Sequence, residues 1–278
     1  MTIASASSFT HSHVILDDGT VVFKCSSDKN QWPWLALDPF DVIVVQTINY
    51  WTAVETGAAR GTLDTGKWSA LTRTEWTCGK QGVGHATHGL GHAFGVDGDP
   101  HYSLIFFDKS GSLVYSIRGK GVVFQNRDFE SWREKAKEKT PPPFSVDEYQ
   151  YASADAVGVA TQREVFLSPL IKGDTPSAQA LITKENGFPP AHPWLSGSGD
   201  HVNSTHLADA ARQFANLLPG ERSPDVVSGE MRFKRYVELG YPFQIEQVLE
   251  TDSQNAVSIV VKQAERLCAT VTLRYDRG

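Results

Sequence analysis

Apolar residues recur at helical spacing in one part of this chain and run almost unbroken in another. Leu207, Ala210, Ala211, Phe214, Leu217 and Leu218 follow i, i+3, i+4 steps, which predicts a helix over residues 200–218 with one buried face. Its other side reads as polar, with His206, Asp209, Arg212, Gln213 and Asn216. A second helix is predicted at about residues 40–56. There the run from Val42 to Trp51 is apolar nearly all round, so the helix must be buried on most sides. Asp38 is the expected N-cap, Pro39 the first helical residue, and the Gly57–Gly61 region the stop.

Between and after these helices the pattern changes to strands. Ahead of the first helix lies a strand near His13–Cys25, with a turn at Asp17-Asp18-Gly19. After it come strand-like segments near Lys67–Cys78, Val83–Phe94, Tyr102–Asp108 and Ser112–Gln125, joined by short turns that favour antiparallel pairing. A strand near Val159–Ile171 precedes the second helix. Strands near Val226–Leu239, Phe243–Asp252, Ala256–Gln263 and Arg266–Asp276 follow it, and in the last of these Leu267, Ala269, Val271, Leu273 and Tyr275 alternate with Cys268, Thr270, Thr272 and Arg274. The same order, strand, long helix, antiparallel strands, thus occurs in both halves. It divides the chain into 1–132, a charged and Pro-rich connection over 133–158 containing a short helix and Pro141-Pro142-Pro143, and 159–278. The fold class is α+β, and two unrelated α+β domains are the plain alternative to a repeat.

Composition narrows the function classes. The 278 residues are 40% hydrophobic and 21% charged, as in globular domains, and the formal net charge is -6. No basic run suits a phosphate backbone, so nucleic-acid binding is not expected. Cys25, Cys78 and Cys268 are an odd, widely spaced set without Cys-x-x-Cys, which reads as reduced thiols in a cytoplasmic protein. The first ten residues show no signal-peptide pattern, and apolar runs such as Val42–Val45 are far too short to span a bilayer, so no membrane association is expected.

The candidate chemistry gathers in Asp200-His201-Val202-Asn203-Ser204-Thr205-His206 and at Asp209. A histidine at a helix start and an acid in its second turn suit acid–base work on a bound substrate. The structural alternative is that Asn203 or Ser204 caps the helix and that Asp209 and Arg212 form an exposed i,i+3 pair.

Arg163-Glu164-Val165-Phe166-Leu167, followed by the segment from Asp200 to Gln213, resembles the A-factor biosynthesis hotdog family. On this match His201 falls on the family's histidine, Asp209 on its helix acid, and Arg212 and Gln213 on its Arg-Gln. Asn203 and Ser204 replace its usual acid and Pro. His201-Val202-Asn203 also resembles the His-Val-Asn-Asn of acyl-CoA thioesterases with this fold. The resemblance implies a double hotdog: two tandem antiparallel sheets, each wrapped around a long central helix. In the first half only Asp38-Pro39 matches the motif. Ala36 stands where its histidine would be and Val44 at the helix acid, so that copy reads as decayed. The resemblance further implies an acyl-CoA or acyl-carrier-protein substrate, whose coenzyme A or phosphopantetheine arm replaces any separate cofactor. One chain supplies both halves of the usual hotdog pair, so a monomer is complete, with a homodimer as the further option.

Acyl thioesters admit several reactions. In dehydration of a 3-hydroxyacyl thioester, or its reverse, a base takes the C2 proton and an acid protonates the leaving hydroxyl. His201 and Asp209 are the expected pair, and this is the leading reading. In hydrolysis, the alternative, Asp209 or Asp200 activates water or attacks, while His201 and Asn203 position it. A silent acyl- or partner-binding protein is the reading from another class. Gly197, Gly199 and Asp200 would let a thioester carbonyl approach N–H groups at the helix start. His206 and Arg212 are assigned to substrate binding beside Asp209, and His192, in Pro189-Pro190-Ala191-His192-Pro193, to the entrance, with packing as the bland reading of both histidines. His85, His88 and His92 tempt towards a metal, but a strand there would point His85 away from the other two, and no metal is expected. His88 is instead assigned to substrate binding, with Gly82, Gly84, Gly89 and Gly91 leaving room for a ligand. Trp32, Trp34, Tyr50, Trp51, Trp68 and Trp76 read as core or tunnel lining. Arg133, Lys135 and Lys137 read as a solvated helix face that could meet acidic partners.

Overall fold

A computed structural model describes residues 8–63, 67–96, 99–124, 129–137, 148–186, 192–195, 199–219, 225–248 and 255–276. Contacts divide the chain into two compact units: Met1–Gln125 with Ala191–Gly197, and Asn126–Pro190 with Ser198–Gly278. The short helix and connection read at 133–158 therefore group with the second unit, and the segment holding His192 with the first. Pro141-Pro142-Pro143 and Gly197 lie outside the described residues.

In the first unit β1 (Thr10–Ile15) and β2 (Val21–Cys25) form a hairpin where the sequence predicted one strand. The turn breaks it: Asp18 accepts the Thr20 N–H at 2.9 Å, and Gly19 takes a φ of 79°. The helix α1 (Val42–Ala59) comes next, then β3 (Ser69–Cys78), β4 (His88–Val96), β5 (Asp99–Phe107) and β6 (Leu113–Val123). All neighbours pair antiparallel, in the order β1-β2-β4-β5-β6-β3. The cap of α1 is Asp41, which accepts the Ile43 N–H at 2.8 Å, and not Asp38, which accepts from Phe40 and turns the chain into the helix.

As predicted, α1 is buried on most sides; every residue from Val42 to Asn49 is inside. It packs on β1, β4 and β5. Its Asn49 is bonded to the sheet: the side-chain amide donates to Thr74 of β3, and the carbonyl accepts from the Tyr102 hydroxyl of β5 at 3.0 Å. β4 begins at His88, so His85 lies in the preceding loop and the strand argument made for it does not apply. The room left by the β4 glycines is filled by the protein itself. A Cβ on Gly89 would sit 2.5 Å from the Ile105 carbonyl and 2.7 Å from the Phe23 ring. At Gly91 it would press on Leu104 and Thr56.

The second unit contains α2 (Phe129–Lys137), α3 (Ala154–Val157), β7 (Ser177–Ala180), β8 (His201–Val202), α4 (Ser204–Leu217), β9 (Val226–Phe233), β10 (Val237–Glu238), β11 (Phe243–Gln247), β12 (Ala256–Gln263) and β13 (Arg266–Tyr275). The pairing order β9-β13-β12-β11-β7 is antiparallel throughout, with β8 and β10 forming a separate small ladder. The strand predicted at 159–171 does not form. Residues 162–164 make a 3-10 turn closed by a Thr161–Glu164 capping box, and only isolated bridges from Leu167 and Ile171 reach β7. The strand predicted at 226–239 splits because the Lys234 and Arg235 N–H groups both turn onto the Cys268 carbonyl. Ala269, Val271, Leu273 and Tyr275 bury one face of β13, and α4 packs against this strand and α3. Cys25, Cys78 and Cys268 are buried. Among the described residues, no helix is long and apolar enough to cross a membrane.

Candidate functional site

The α4 helix begins at Ser204, four residues later than the predicted 200–218 span. Asn203 is the cap, accepting the His206 N–H at 3.2 Å, while the His206 ring accepts back from the Asn203 N–H. Asp200 and His201 therefore precede the helix, His201 on β8 opposite Glu238. The side of α4 read as polar is also mostly interior: His206, Asp209 and Gln213 are all buried.

The acid, arginine and glutamine of α4 form one knot. Arg212 binds Asp209 Oδ1 through Nε at 2.8 Å and Nη2 at 2.5 Å, and its Nη1 donates to the Gly158 carbonyl. Gln213 donates to Asp209 Oδ2 and to the Glu164 carbonyl, and accepts the Phe166 N–H at 3.0 Å. The helix motif is thereby tied to the Glu-Val-Phe-Leu segment, whose Val165, Phe166 and Leu167 are almost fully buried. Both oxygens of Asp209 are engaged in this knot.

A different group of charges surrounds His201. Asp200 Oδ1 lies 2.6 Å from His201 Nδ1. An ionised Asp200 can only accept, so in this contact a neutral His201 carries its proton on Nδ1 and its lone pair on Nε2. The His201 side chain keeps 20% of its surface exposed. On its other oxygen Asp200 is bound by Arg133 Nη2 at 3.1 Å and by Lys137 Nζ at 3.0 Å. Arg133, with 3% of its side chain exposed, also binds Glu238 in a two-point fork at 2.6 and 2.9 Å. Its guanidinium lies over the Tyr236 ring, which packs edge-on to His201 with centroids 4.5 Å apart. Burial opposes the charge on Asp200, but His201, then Arg133 and Lys137, outweigh it and hold the carboxyl well below its usual range. Burial also opposes the charge on Arg133, and Glu238 and then Asp200 more than restore it. Burial pushes the Tyr236 hydroxyl up to about 12.

Arg133, Tyr236 and Glu238 were not among the residues picked out for chemistry. Arg133, expected from the sequence on a solvated face, is buried along with Phe129 of the same helix, while Trp132, Glu134 and Lys135 face outward. The available signal was an arginine inside a strongly amphipathic short helix.

The other candidates lie as follows. Gly199 is exposed beside Asp200. His206 packs by its ring edge on Phe166, and burial and the nearby His201 lower its pKa to about 3. His192 belongs to the first unit, where it is 2% exposed against Trp51, its N–H donating to the Tyr50 hydroxyl; burial lowers its pKa to about 4. Its place is therefore in packing on α1. His88 stacks on Phe107 and shares a hydrogen bond with Thr87. Trp32, Trp51 and Trp76 are core residues. Among the described residues no cluster of three or more His, Cys, Asp or Glu could hold a metal. Matching the two caps, Asp41 to Asn203, sets Pro39 where His201 stands and Thr47 where Asp209 stands. This replaces the register read from sequence, with Ala36 and Val44 at those places, and again gives the first unit neither histidine nor acid.

No protein-family model and no curated protein matches this sequence. Solved structures do. An acyl-ACP thioesterase from Bacteroides thetaiotaomicron superposes with a TM-score of 0.57 at 13% identity, covering 93% of this chain and 97% of that one. A putative oleoyl thioesterase from Lactobacillus plantarum gives 0.52 at 12% identity, covering 85% and 90%. The 12:0-ACP thioesterase from Umbellularia californica gives 0.52 at 9%, also covering 85% and 90%. The chain is an α+β protein with the hotdog fold.

Proposed function

We propose that this chain is a double hotdog that hydrolyses acyl thioesters of coenzyme A or of an acyl-carrier protein, with His201 as the general base. The carrying observation is the 2.6 Å contact between Asp200 and Nδ1 of a partly exposed His201. Nε2 takes a proton from water as its oxygen attacks the thioester carbonyl carbon. The tetrahedral intermediate then collapses, the C–S bond breaks, and the imidazolium returns the proton to the departing sulfur. Carboxylic acid and thiol are the products. Asn203 takes the His206 N–H, which leaves the Ser204 and Thr205 N–H groups at the start of α4 to receive the carbonyl oxygen. The coenzyme A or phosphopantetheine arm arrives with the substrate, and no other cofactor enters these steps. The fold likeness to thioesterases supports the substrate class.

Dehydration is the second reading, favoured by the same base, which could take a C2 proton. It needs an acid for the leaving hydroxyl as well, and Asp209 is held by Arg212 and Gln213. Saturated, 3-hydroxy and trans-2-enoyl acyl-CoA are offered to the protein while free thiol and enoyl absorbance are followed. Thiol release is expected. An enoyl change without thiol would transfer the assignment to hydration chemistry. Silence in both, with calorimetric binding, would make the protein an acyl binder.

A further inference from the structure

Asp200 and His201 are adjacent in the chain, and adjacent residues of extended backbone send their side chains to opposite faces. Asp200 instead precedes β8, and its carboxylate lies 2.6 Å from the His201 ring. The bend at Asp200 makes this contact geometrically accessible. What fixes the carboxylate is its second oxygen, which receives Arg133 Nε at 3.3 Å and Nη2 at 3.1 Å. Arg133 is itself immobilised, forked onto Glu238 and lying over Tyr236. Glu238 is in turn fixed by β10: its N–H donates to Gln263 Oε1 at 2.8 Å, and its backbone pairs with His201 across the β8–β10 ladder.

We infer that Arg133 is a positioning residue: seated by Glu238 and Tyr236, it aims the Asp200 carboxylate at His201 and so fixes the histidine tautomer that leaves Nε2 as the base. This rests on the role given to His201 under the proposed function, but the positioning itself can be read without turnover. Among the described residues, the titratable and charged groups around the Asp200–His201 pair are Tyr236 and Glu238 beside His201 at β10, Arg133 and Lys137 of α2 on Asp200, and His206 of α4. Lys137 binds the same Asp200 oxygen but keeps 40% of its side chain exposed, so it supplies charge without a rigid direction.

The test uses Arg133→Met, Arg133→Lys and the paired Arg133→Met/Glu238→Met variant. The last avoids leaving Glu238 as an unpaired buried charge, the one expected cause of misfolding. Imidazole nitrogen chemical shifts of His201 are measured in the full chain. The native protein is expected to show protonated Nδ1 and unprotonated Nε2, and all three variants a mixture of tautomers. Lysine fails like methionine because one ammonium cannot span two carboxylates as the fork does. Thioester turnover should fall on the order of 10²-fold in kcat with KM little changed. In an Asp200→Asn background, Arg133→Met should add almost nothing, because it acts through that carboxylate. An unchanged tautomer in the paired variant overturns the inference, and so does full retention of kcat by Arg133→Lys. If the native protein turns over no thioester, the nitrogen spectra still decide Arg133, and only the functional reading falls.

Discussion

Histidines buried without charge leave a pH signature at the scale of single residues. His206 and His192 have folded pKa values of about 3 and about 4, against 6.5 in the unfolded chain. Between those limits the unfolded state binds the extra protons, so their contribution is complete above pH 6.5 and is lost as pH falls towards the folded values. Thermal unfolding midpoints should therefore drop on acidification from that pH, and His206→Gln should flatten the slope. A slope unchanged by that substitution would count against a neutral His206. Asp200, whose carboxyl is depressed, contributes above its ordinary value and loses that contribution as pH falls through its lowered one. For chemistry, His201→Ala should cost about 10²–10⁴-fold in turnover with the fold intact, as expected for a lost general base. Turnover at the native rate would remove His201 from the mechanism.

Some of this was readable from residue types and some was not. His201 and Asp200 stand out because an acid beside a histidine before a capped helix is an unusual group. Arg133, Tyr236 and Glu238 do not, because their meeting depends on a two-residue ladder and a short helix far away in sequence. Burial of Arg133 follows from partners at positions 200 and 238, which no local pattern encodes.

At the scale of elements, the Asp209–Arg212–Gln213 knot fastens α4 to the 164–166 segment. Gln213→Leu should leave the Phe166 N–H unpaired and cost about 2 kcal/mol of stability, measurable by urea unfolding. Asp209→Asn should keep the shape of the knot and most of the turnover while lowering stability. A collapse of kcat in a fully folded Asp209→Asn protein would return that residue to the reaction. The helices and the later strands were legible because long runs with clear periodicity outvote local exceptions. The strand expected at 159–171 was not, because its apolar residues are buried by packing while the Phe166 N–H goes to a glutamine side chain and not to a ladder. The helix starts were placed about two residues early at α1 and four at α4, where more than one capping side chain competes, although Asn203 was among the caps expected at α4.

For the molecule as a whole, each unit holds a long helix followed by antiparallel strands, but the two differ in chemistry. The cap register puts Pro39 and Thr47 where the second unit has His201 and Asp209. A non-hydrolysable acyl-CoA thioether should accordingly titrate one site per chain in calorimetry, and Asp38→Asn should leave turnover unaltered. Binding to two equivalent sites would contradict this asymmetry.

The first unit also carries a hidden dependence on its own beginning. Glu55, deep in α1, is satisfied by the Phe9 and Thr10 N–H groups and the Thr10 hydroxyl at 2.6 to 2.7 Å, and burial still raises its pKa. A chain shortened past Thr10 would strand an acid in oil with nothing to solvate it. Such a clipped protein should hold together best in mildly acidic buffer, where the acid is uncharged, and loosen as the medium turns neutral, so that two residues far from α1 in sequence set where on the pH scale this helix stays seated.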